Sequence, residues 1–172
     1  MLISWNTTQA CNISCLHCYR DAGDCLRDEL TTEEGKRLLD DAFACGFRIF
    51  VFSGGEPLLR RDLLELIAYA RSIGLRPVLG TNGILLTPQK VAELKQAGLA
   101  AAGISVDSVS PERHDWFRQS AGAWAATVEG MRVCREAGLP FQVHTTVMDW
   151  NEAEVLAITD KAIEWGAAAH HI

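Results

Sequence analysis

The chain has 172 residues, of which 48% are hydrophobic and 22% are charged, and its formal net charge is −6. These values are ordinary for one globular domain, and the acidic balance argues against nucleic acid as the main partner, because phosphate contacts need a basic surface. No apolar run approaches the roughly 20 residues of a membrane-spanning helix, and no apolar leader opens the sequence. We therefore expect a cytoplasmic protein that binds neither nucleic acid nor a membrane.

The first predicted strand, Leu2–Trp5, leads into a loop with the cysteine spacing C-x3-C-x2-C, formed by Cys11, Cys15 and Cys18. Three thiolates this close can hold three corners of a cubane iron–sulfur cluster and leave one iron open to a small molecule. Electron carriers normally fill all four positions with cysteine. The spacing therefore favours a catalyst over a passive electron carrier.

Spacing alone is also compatible with a zinc site or with incidental cysteines. Structural zinc takes four ligands, commonly as two paired knuckles, and His17 would have to be the fourth although it lies between two of the cysteines. A disulfide framework is disfavoured, because the chain is large and rich in apolar residues. The remaining cysteines are expected to be ordinary thiols: Cys25, Cys45 and Cys134.

The second predicted strand, Arg48–Phe52, ends in Ser53-Gly54-Gly55-Glu56-Pro57. Two glycines allow a backbone to approach a ligand closely, and Glu56 adds a carboxylate beside main-chain groups. This combination suits a ligand ammonium group. The same residues could also form a simple strand-ending turn.

Helical patterns that end in glycine alternate with short strands along the rest of the chain. A capping box at Thr31–Glu34 opens the first helix, and an extra turn or short helix is predicted around Arg113–Phe117. The later strands are predicted over Pro77–Gly80, Gly103–Val106, Phe141–Val147 and Ala168–Ile172. Such β-α alternation predicts an α/β fold in which parallel strands form a barrel-like sheet with helices outside.

Polar residues fall at the carboxyl ends of these strands, where parallel barrels place their active sites. They are Asn6, Thr7, Thr8, Thr81, Asn82, Ser105, Asp107, Gln142, His144 and Thr146. Along the fifth strand they alternate with more apolar residues, so we expect the polar set to face the barrel interior. A polar interior is unusual unless it holds a ligand.

The sequence resembles the radical SAM (S-adenosylmethionine) superfamily in the cysteine spacing, in Gly54-Gly55-Glu56-Pro57 and in the later strand ends. The resemblance covers essentially the whole chain. It implies a partial six-unit (β/α) barrel, truncated in the sixth strand. Residues 1–172 would then be a radical SAM core domain that lacks its C-terminal continuation.

The resemblance also implies the cofactors. In that superfamily three cysteines hold a [4Fe-4S] cluster, whose free iron chelates SAM, and the reduced cluster cleaves SAM to a 5′-deoxyadenosyl radical. An electron donor such as ferredoxin or flavodoxin would be a partner. By the same resemblance the cluster ligands are Cys11, Cys15 and Cys18, and the SAM contacts are His17, Gly54, Gly55, Glu56, Thr81, Asn82, Ser105 and Arg118.

Several of these residues could have a purely structural role. Asn82-Gly83 could be only a turn, and Arg118 could be a solvated surface arginine. His144 could contact the substrate or be a hydrogen-bonded interior histidine.

The segments Ile3–Thr8 and Cys18–Gly23 resemble the radical SAM proteins of heme d1 biosynthesis and of the alternative heme pathway, which alter side chains of a siroheme-derived tetrapyrrole. A tetrapyrrole is therefore the expected substrate. Peptide-modifying maturases share much of the same core and remain an alternative. A non-catalytic zinc or iron–sulfur module is the alternative from a different class.

Overall fold

The computed structural model describes residues 1–19, 22–24 and 28–172, so Cys25 and part of the Cys18–Gly23 segment lie outside the described residues. The described strands are β1 (Leu2–Thr8), β2 (Ile49–Gly54), β3 (Arg76–Thr81), β4 (Ala101–Ser105), β5 (Phe141–His144) and β6 (His170–His171). The described α-helices are α1 (Thr32–Ala44), α2 (Leu63–Ser72), α3 (Pro88–Gln96), α4 (Pro111–Arg118), α5 (Ala123–Glu136) and α6 (Val155–Trp165). All six strands are parallel and follow chain order in one sheet, which confirms the predicted α/β fold.

Local sequence signals mark one end of several helices. At the start of α1 the Thr31 hydroxyl accepts from the Glu34 N–H while the Glu34 carboxylate accepts from the Thr31 N–H, which completes the predicted capping box. At the end of α6, Gly166 adopts a φ of 86°, a left-handed conformation that glycine reaches without strain. Local chemistry therefore sets these helix ends.

Alternation along the strands separates an apolar face from a polar one. Phe52, Leu79 and Ile104 are fully buried and belong to one core cluster with helix residues such as Leu66 and Met131. The residues that alternate with them line a cavity on the other face, among them Ser53, Gly80, Gly103 and Ser105. Because side chains alternate along a strand, one set packs in the core and the other set lines the cavity.

The strand bounds differ from the predictions, most clearly at β1, β5 and β6. β6 covers His170–His171 instead of the predicted Ala168–Ile172. β1 continues to Thr8, because main-chain pairing with β2 does not depend on the polarity of the side chains. β5 ends at His144 rather than Val147, because the Thr146 N–H donates to the Asp107 carboxylate (3.0 Å) instead of to a neighbouring strand. Of the two alternatives around Arg113–Phe117, the short helix is confirmed as α4, which has 8 residues.

None of the helices in the described ranges combines the length and the apolar composition that crossing a bilayer requires.

Gly130 in α5 packs directly on the loop that follows β3, and this contact gives the first prediction. A Cβ at position 130 would lie 2.4 Å from the carbonyl oxygen of Gly83. Gly130→Ala should therefore lower the free energy of unfolding by about 2 kcal/mol through overpacking, although alanine favours a helix by about 1 kcal/mol. Urea denaturation would measure the change.

Gly23→Ala is the matched control, because a Cβ there would have no atom of residues 1–19, 22–24 and 28–172 within 4 Å. Equal free energies of unfolding for the two variants would show that the contact with Gly83 does not restrict the size of the side chain at position 130.

Candidate functional site

A cavity of about 440 Å³ opens at the carboxyl ends of the strands. It brings together most of the predicted site residues, which come from strand ends, the cysteine loop and α4. Those that line it are Cys11, Cys15, His17, Cys18, Gly54, Gly55, Thr81, Asn82, Ser105 and Arg118. Within the described part of the chain, Glu56 is the predicted residue that does not line it.

Main-chain hydrogen bonds fix the cysteine loop at both ends. The Cys11 N–H donates to the Gly23 carbonyl (2.9 Å), and the Leu16 N–H donates to the Phe117 carbonyl at the end of α4 (2.9 Å). Burial raises the pKa of the Cys11 and Cys15 thiols above their usual value, while the nearby Arg118 guanidinium opposes this rise at Cys15. The loop therefore presents three half-buried thiols from a fixed backbone.

The remaining described cysteines lie away from this cavity. Cys45 is exposed at the end of α1, and Cys134 is buried in α5, where burial raises the pKa of its thiol to about 11. Across residues 1–19, 22–24 and 28–172, no three Cys, His, Asp or Glu side chains converge closely enough to hold a single metal ion.

The Gly54-Gly55 turn packs against the backbone that leads into the cysteine loop. Gly54 has a φ of 135°, and a Cβ there would lie 2.4 Å from the Thr8 carbonyl oxygen. A Cβ on Gly55 would lie 2.3 Å from the Ala10 carbonyl oxygen. The sequence predicted that these glycines permit close approach to a ligand, and the structure shows in addition that they permit close approach of two backbone segments.

Glu56 is fully buried and faces β3. Its carboxylate accepts hydrogen bonds from the Thr81 hydroxyl (2.9 Å), the Asn82 N–H (2.9 Å) and the Leu58 N–H (3.1 Å). Burial raises the pKa of Glu56 to about 7, and these hydrogen bonds partly oppose the rise. The carboxylate thus ties the end of β2 to the end of β3.

Asn82 connects the end of β3 to the cysteine loop. Its side-chain amide donates to the Asn12 Oδ1 (2.9 Å), and its own Oδ1 accepts from the Ile84 N–H (3.0 Å). Asn82-Gly83 is therefore a turn that also holds the cysteine loop. The two alternatives for this segment, a turn and a part of the site, do not exclude each other. Asn12 was missed at the sequence level, because nothing local indicates a partner 70 residues away.

Arg118 lies in the cavity wall rather than on the surface, so the solvated-arginine alternative is wrong. The residue is 7% exposed, and its Nη2 lies 2.5 Å from the Asp107 Oδ2. Its Nη1 lies 3.6 Å from the Cys15 Sγ. Asp107 was predicted only as one of the polar strand-end residues, and its ion pair with Arg118 was missed.

His17 stacks on Phe117 with ring centroids 4.5 Å apart and planes 7° from parallel. Phe117 in turn contacts Trp150, at 4.6 Å between centroids. Burial and the Arg118 charge lower the pKa of His17, so its ring is held neutral at neutral pH. Its Nδ1 is buried and has no hydrogen-bond partner among the described residues.

His144 lies at the cavity and is partly exposed, so it is not an interior histidine. Its ring rests on Gly103, where a Cβ would lie 2.7 Å from the ring. Burial lowers the pKa of His144, and so do His171 and His170. The histidine whose ring nitrogens both have hydrogen-bond partners is the half-buried His170, which contacts the hydroxyls of Thr145 and Thr159 (2.8 Å each).

The sequence profile of the radical SAM superfamily matches residues 5–162. The chain belongs to the radical SAM superfamily. It is 42% identical over 172 residues to the AdoMet-dependent heme synthase of Methanosarcina barkeri, which is 99% of this chain and 49% of that protein. It is 32% identical over 155 residues to the pre-heme d1 synthase of Dinoroseobacter shibae, which is 90% of this chain and 38% of that protein.

The fold is also that of solved radical SAM enzymes. The crystal structure of Streptococcus suis SuiB bound to S-adenosylmethionine superposes with a TM-score of 0.81 at 16% identity, over 98% of this chain and 39% of that one. Together with the parallel sheet, this confirms the predicted partial barrel. The chain spans about half, or less, of the length of the curated relatives described above.

Membership of the radical SAM superfamily implies SAM and a [4Fe-4S] cluster, and the residues present fit both groups. Thiolates are the usual ligands of iron–sulfur clusters, and all three cysteines of the loop line the cavity. Gly54, Gly55, Thr81 and Ser105 line the same cavity. The volume of about 440 Å³ lies within the usual range for small-molecule sites.

The buried carboxylate of Glu56 predicts a specific pH dependence of stability. Burial raises its pKa from 4.5 to about 7, so the folded protein binds more protons than the unfolded chain between these values. This contribution to stability is complete below pH 4.5 and is lost as the pH rises through about 7, at a cost of about 3 kcal/mol. Glu56→Gln should remove this part of the decline.

Urea unfolding measured from pH 4.5 to 7.5 would test the expected flattening of the profile. Glu152→Gln, at an exposed position, is the control and should keep the wild-type slope. A wild-type slope in Glu56→Gln would show that Glu56 does not carry the titration.

Proposed function

We propose that this chain supplies the cluster-binding and SAM-binding site of a radical SAM enzyme that modifies a tetrapyrrole, with residues 1–172 as its core domain. The observation that carries the proposal is the convergence of three thiols, the Gly54-Gly55 turn and the ends of β3 and β4 on one cavity. When bound, the cluster supplies the electron that cleaves SAM. The protein then has to bind, orient and shield the reacting groups.

The cluster ligands in this proposal are Cys11, Cys15 and Cys18. The loop that carries them is held by main-chain hydrogen bonds at 2.9 Å to Gly23 and Phe117, so their relative positions do not depend on side-chain contacts alone. Because the backbone of the loop is already fixed, less of the chain has to become ordered when the cluster binds.

The SAM contacts in this proposal line the same cavity as the thiols. The main-chain groups of Gly54 and Gly55 receive the methionine ammonium, and Arg118 reaches the carboxylate. Glu56 does not contact SAM in this proposal. It holds Thr81 and Asn82 in place, because its carboxylate accepts hydrogen bonds from both. The remaining contacts are Thr81, Asn82, Ser105 and His17, all of which line the cavity.

The aromatic residues beside the cysteine loop shield this side of the cavity. His17 lies flat on Phe117, and Trp150 packs behind Phe117. Stacked rings exclude water and strengthen the electrostatic interactions inside a site. A reducing, cytoplasmic setting and a protein electron donor such as ferredoxin or flavodoxin are part of the proposal.

A tetrapyrrole substrate is supported by the names of the heme-synthase relatives and by the composition of the cavity on the β5 side. There His144, Thr146 and Met148 line the cavity. A neutral imidazole and a thioether suit the metal centre and apolar face of a tetrapyrrole. We therefore place the substrate beside His144.

Cys15→Ala tests the cluster assignment. Wild-type protein reconstituted under anaerobic conditions should bind about four irons, and the EPR signal of the reduced protein should change when SAM is added. The variant should lose both properties and should no longer form 5′-deoxyadenosine with dithionite.

Cys45→Ala, which removes an exposed thiol at the end of α1, is the matched control and should behave like wild type. Zinc without iron in the wild-type protein, or SAM cleavage by Cys15→Ala, would overturn the assignment.

His144→Ala tests the placement of the substrate. The variant should bind iron coproporphyrin about tenfold more weakly, as measured by the shift of the porphyrin absorption band, because it loses a polar contact in the cavity. SAM-induced EPR changes should persist. His171→Ala is the control, since His171 neighbours His144 without lining the cavity. Equal loss in both variants would contradict this placement.

A further inference from the structure

The wall of the cavity next to Cys15 contains a buried ion pair whose function the cofactor assignment leaves open. Asp107 is 0% exposed and Arg118 is 7% exposed. The Arg118 Nη2 and the Asp107 Oδ2 are 2.5 Å apart. Burying two charges is costly, so a buried ion pair by itself is weak support for a role in stability.

Asp107 is held rigidly from several sides. Its Oδ1 accepts from the Thr146 N–H (3.0 Å), its N–H donates to the His114 Nδ1 (3.3 Å), and its carbonyl accepts from the Asn151 side chain (3.0 Å). These contacts come from the end of β5, from α4 and from the segment before α6. The carboxylate therefore has one fixed position relative to the sheet.

Arg118 is held less completely. Its Nη1 lies 3.6 Å from the Cys15 Sγ, its Nη2 pairs with Asp107, and its Nε has no hydrogen-bond partner in the described part of the chain. The guanidinium thus spans from a fixed carboxylate to a sulfur atom. Without the carboxylate, the described contacts leave only the sulfur to hold it.

We infer that Asp107 is a positioning residue that holds the Arg118 guanidinium against the Cys15 Sγ, where its hydrogen bond and positive charge stabilise the reduced state of the cluster. This inference rests on the proposed function, because it assigns Cys15 as a cluster ligand. Hydrogen bonds to the sulfurs and the local charge are known determinants of iron–sulfur reduction potentials. The pair would therefore set how readily the site accepts its electron.

Removal of the carboxylate should displace the guanidinium rather than leave it in place. An unpaired charge buried at this depth is strongly unfavourable, and the adjoining cavity gives Arg118 a path toward water. Asp107→Asn should therefore act like loss of Arg118. Where Arg118 is already absent, the same substitution removes only a negative charge, which by itself raises a reduction potential.

The test is the midpoint potential of the reconstituted cluster, measured by EPR-monitored redox titration without SAM. Arg118→Gln should lower it, so that the ratio of reduced to oxidised cluster at a fixed applied potential falls about tenfold. Asp107→Asn should lower it in the same direction. Adding Asp107→Asn to Arg118→Gln should give no further fall.

Arg113→Gln is the matched control, because Arg113 lies on the same helix but pairs with Glu154 and Trp150 instead of Cys15. Its midpoint potential should equal that of the wild type. Arg118→Lys is a second test variant for the case that Asp107→Asn does not fold, because it keeps both charges of the buried pair. A lysine cannot bridge both partners as the guanidinium does, so its potential should lie between wild type and Arg118→Gln.

The outcomes separate this inference from the proposed function. A wild-type protein that acquires no cluster overturns both. If the cluster forms and Asp107→Asn raises the potential while Arg118 is present, Asp107 acts only through its charge, and the positioning role is wrong. Wild-type potentials in Arg118→Gln or in Arg118→Lys would overturn the inference.

Discussion

The site depends on the close contact between the turn after β2 and the backbone that leaves β1. The Gly55 N–H donates to the Thr8 carbonyl (2.8 Å), and the Glu56 N–H donates to the Ala10 carbonyl (2.7 Å). Both bonds need glycine at 54 and 55, because a Cβ would lie 2.4 Å from a carbonyl oxygen at the first position and 2.3 Å at the second. This contact fixes the start of the cysteine loop relative to the sheet.

Two further connections hold the same loop, although it has no regular secondary structure of its own. Asn82, which is positioned by the buried Glu56, bonds to Asn12 inside the loop. On the opposite side, the end of α4 accepts a main-chain hydrogen bond from Leu16 and places Arg118 beside Cys15. The loop is therefore held by three separate elements, and each connection involves a buried polar group that must stay paired.

These connections suit the chemistry of the radical SAM superfamily, in which the bound groups do the difficult bond breaking. What remains for the polypeptide is geometry, exclusion of water and control of charge. The rings of His17, Phe117 and Trp150 pack beside the cysteine loop, the Gly54-Gly55 turn packs on the backbone before that loop, and the Asp107–Arg118 pair lies beside Cys15.

The sequence by itself determined the order of strands and helices, the capping box of α1, the glycine that ends α6, the cysteine spacing and the superfamily, because each of these depends on residues that lie close together along the chain. Only the tertiary structure decided that Glu56 faces β3, that Asn12 meets Asn82, and that Arg118 joins Asp107 to Cys15. Arg118 and Cys15 are 103 positions apart. Strand register and helix packing bring such residues together, and no local pattern records which distant partner a buried polar group will find.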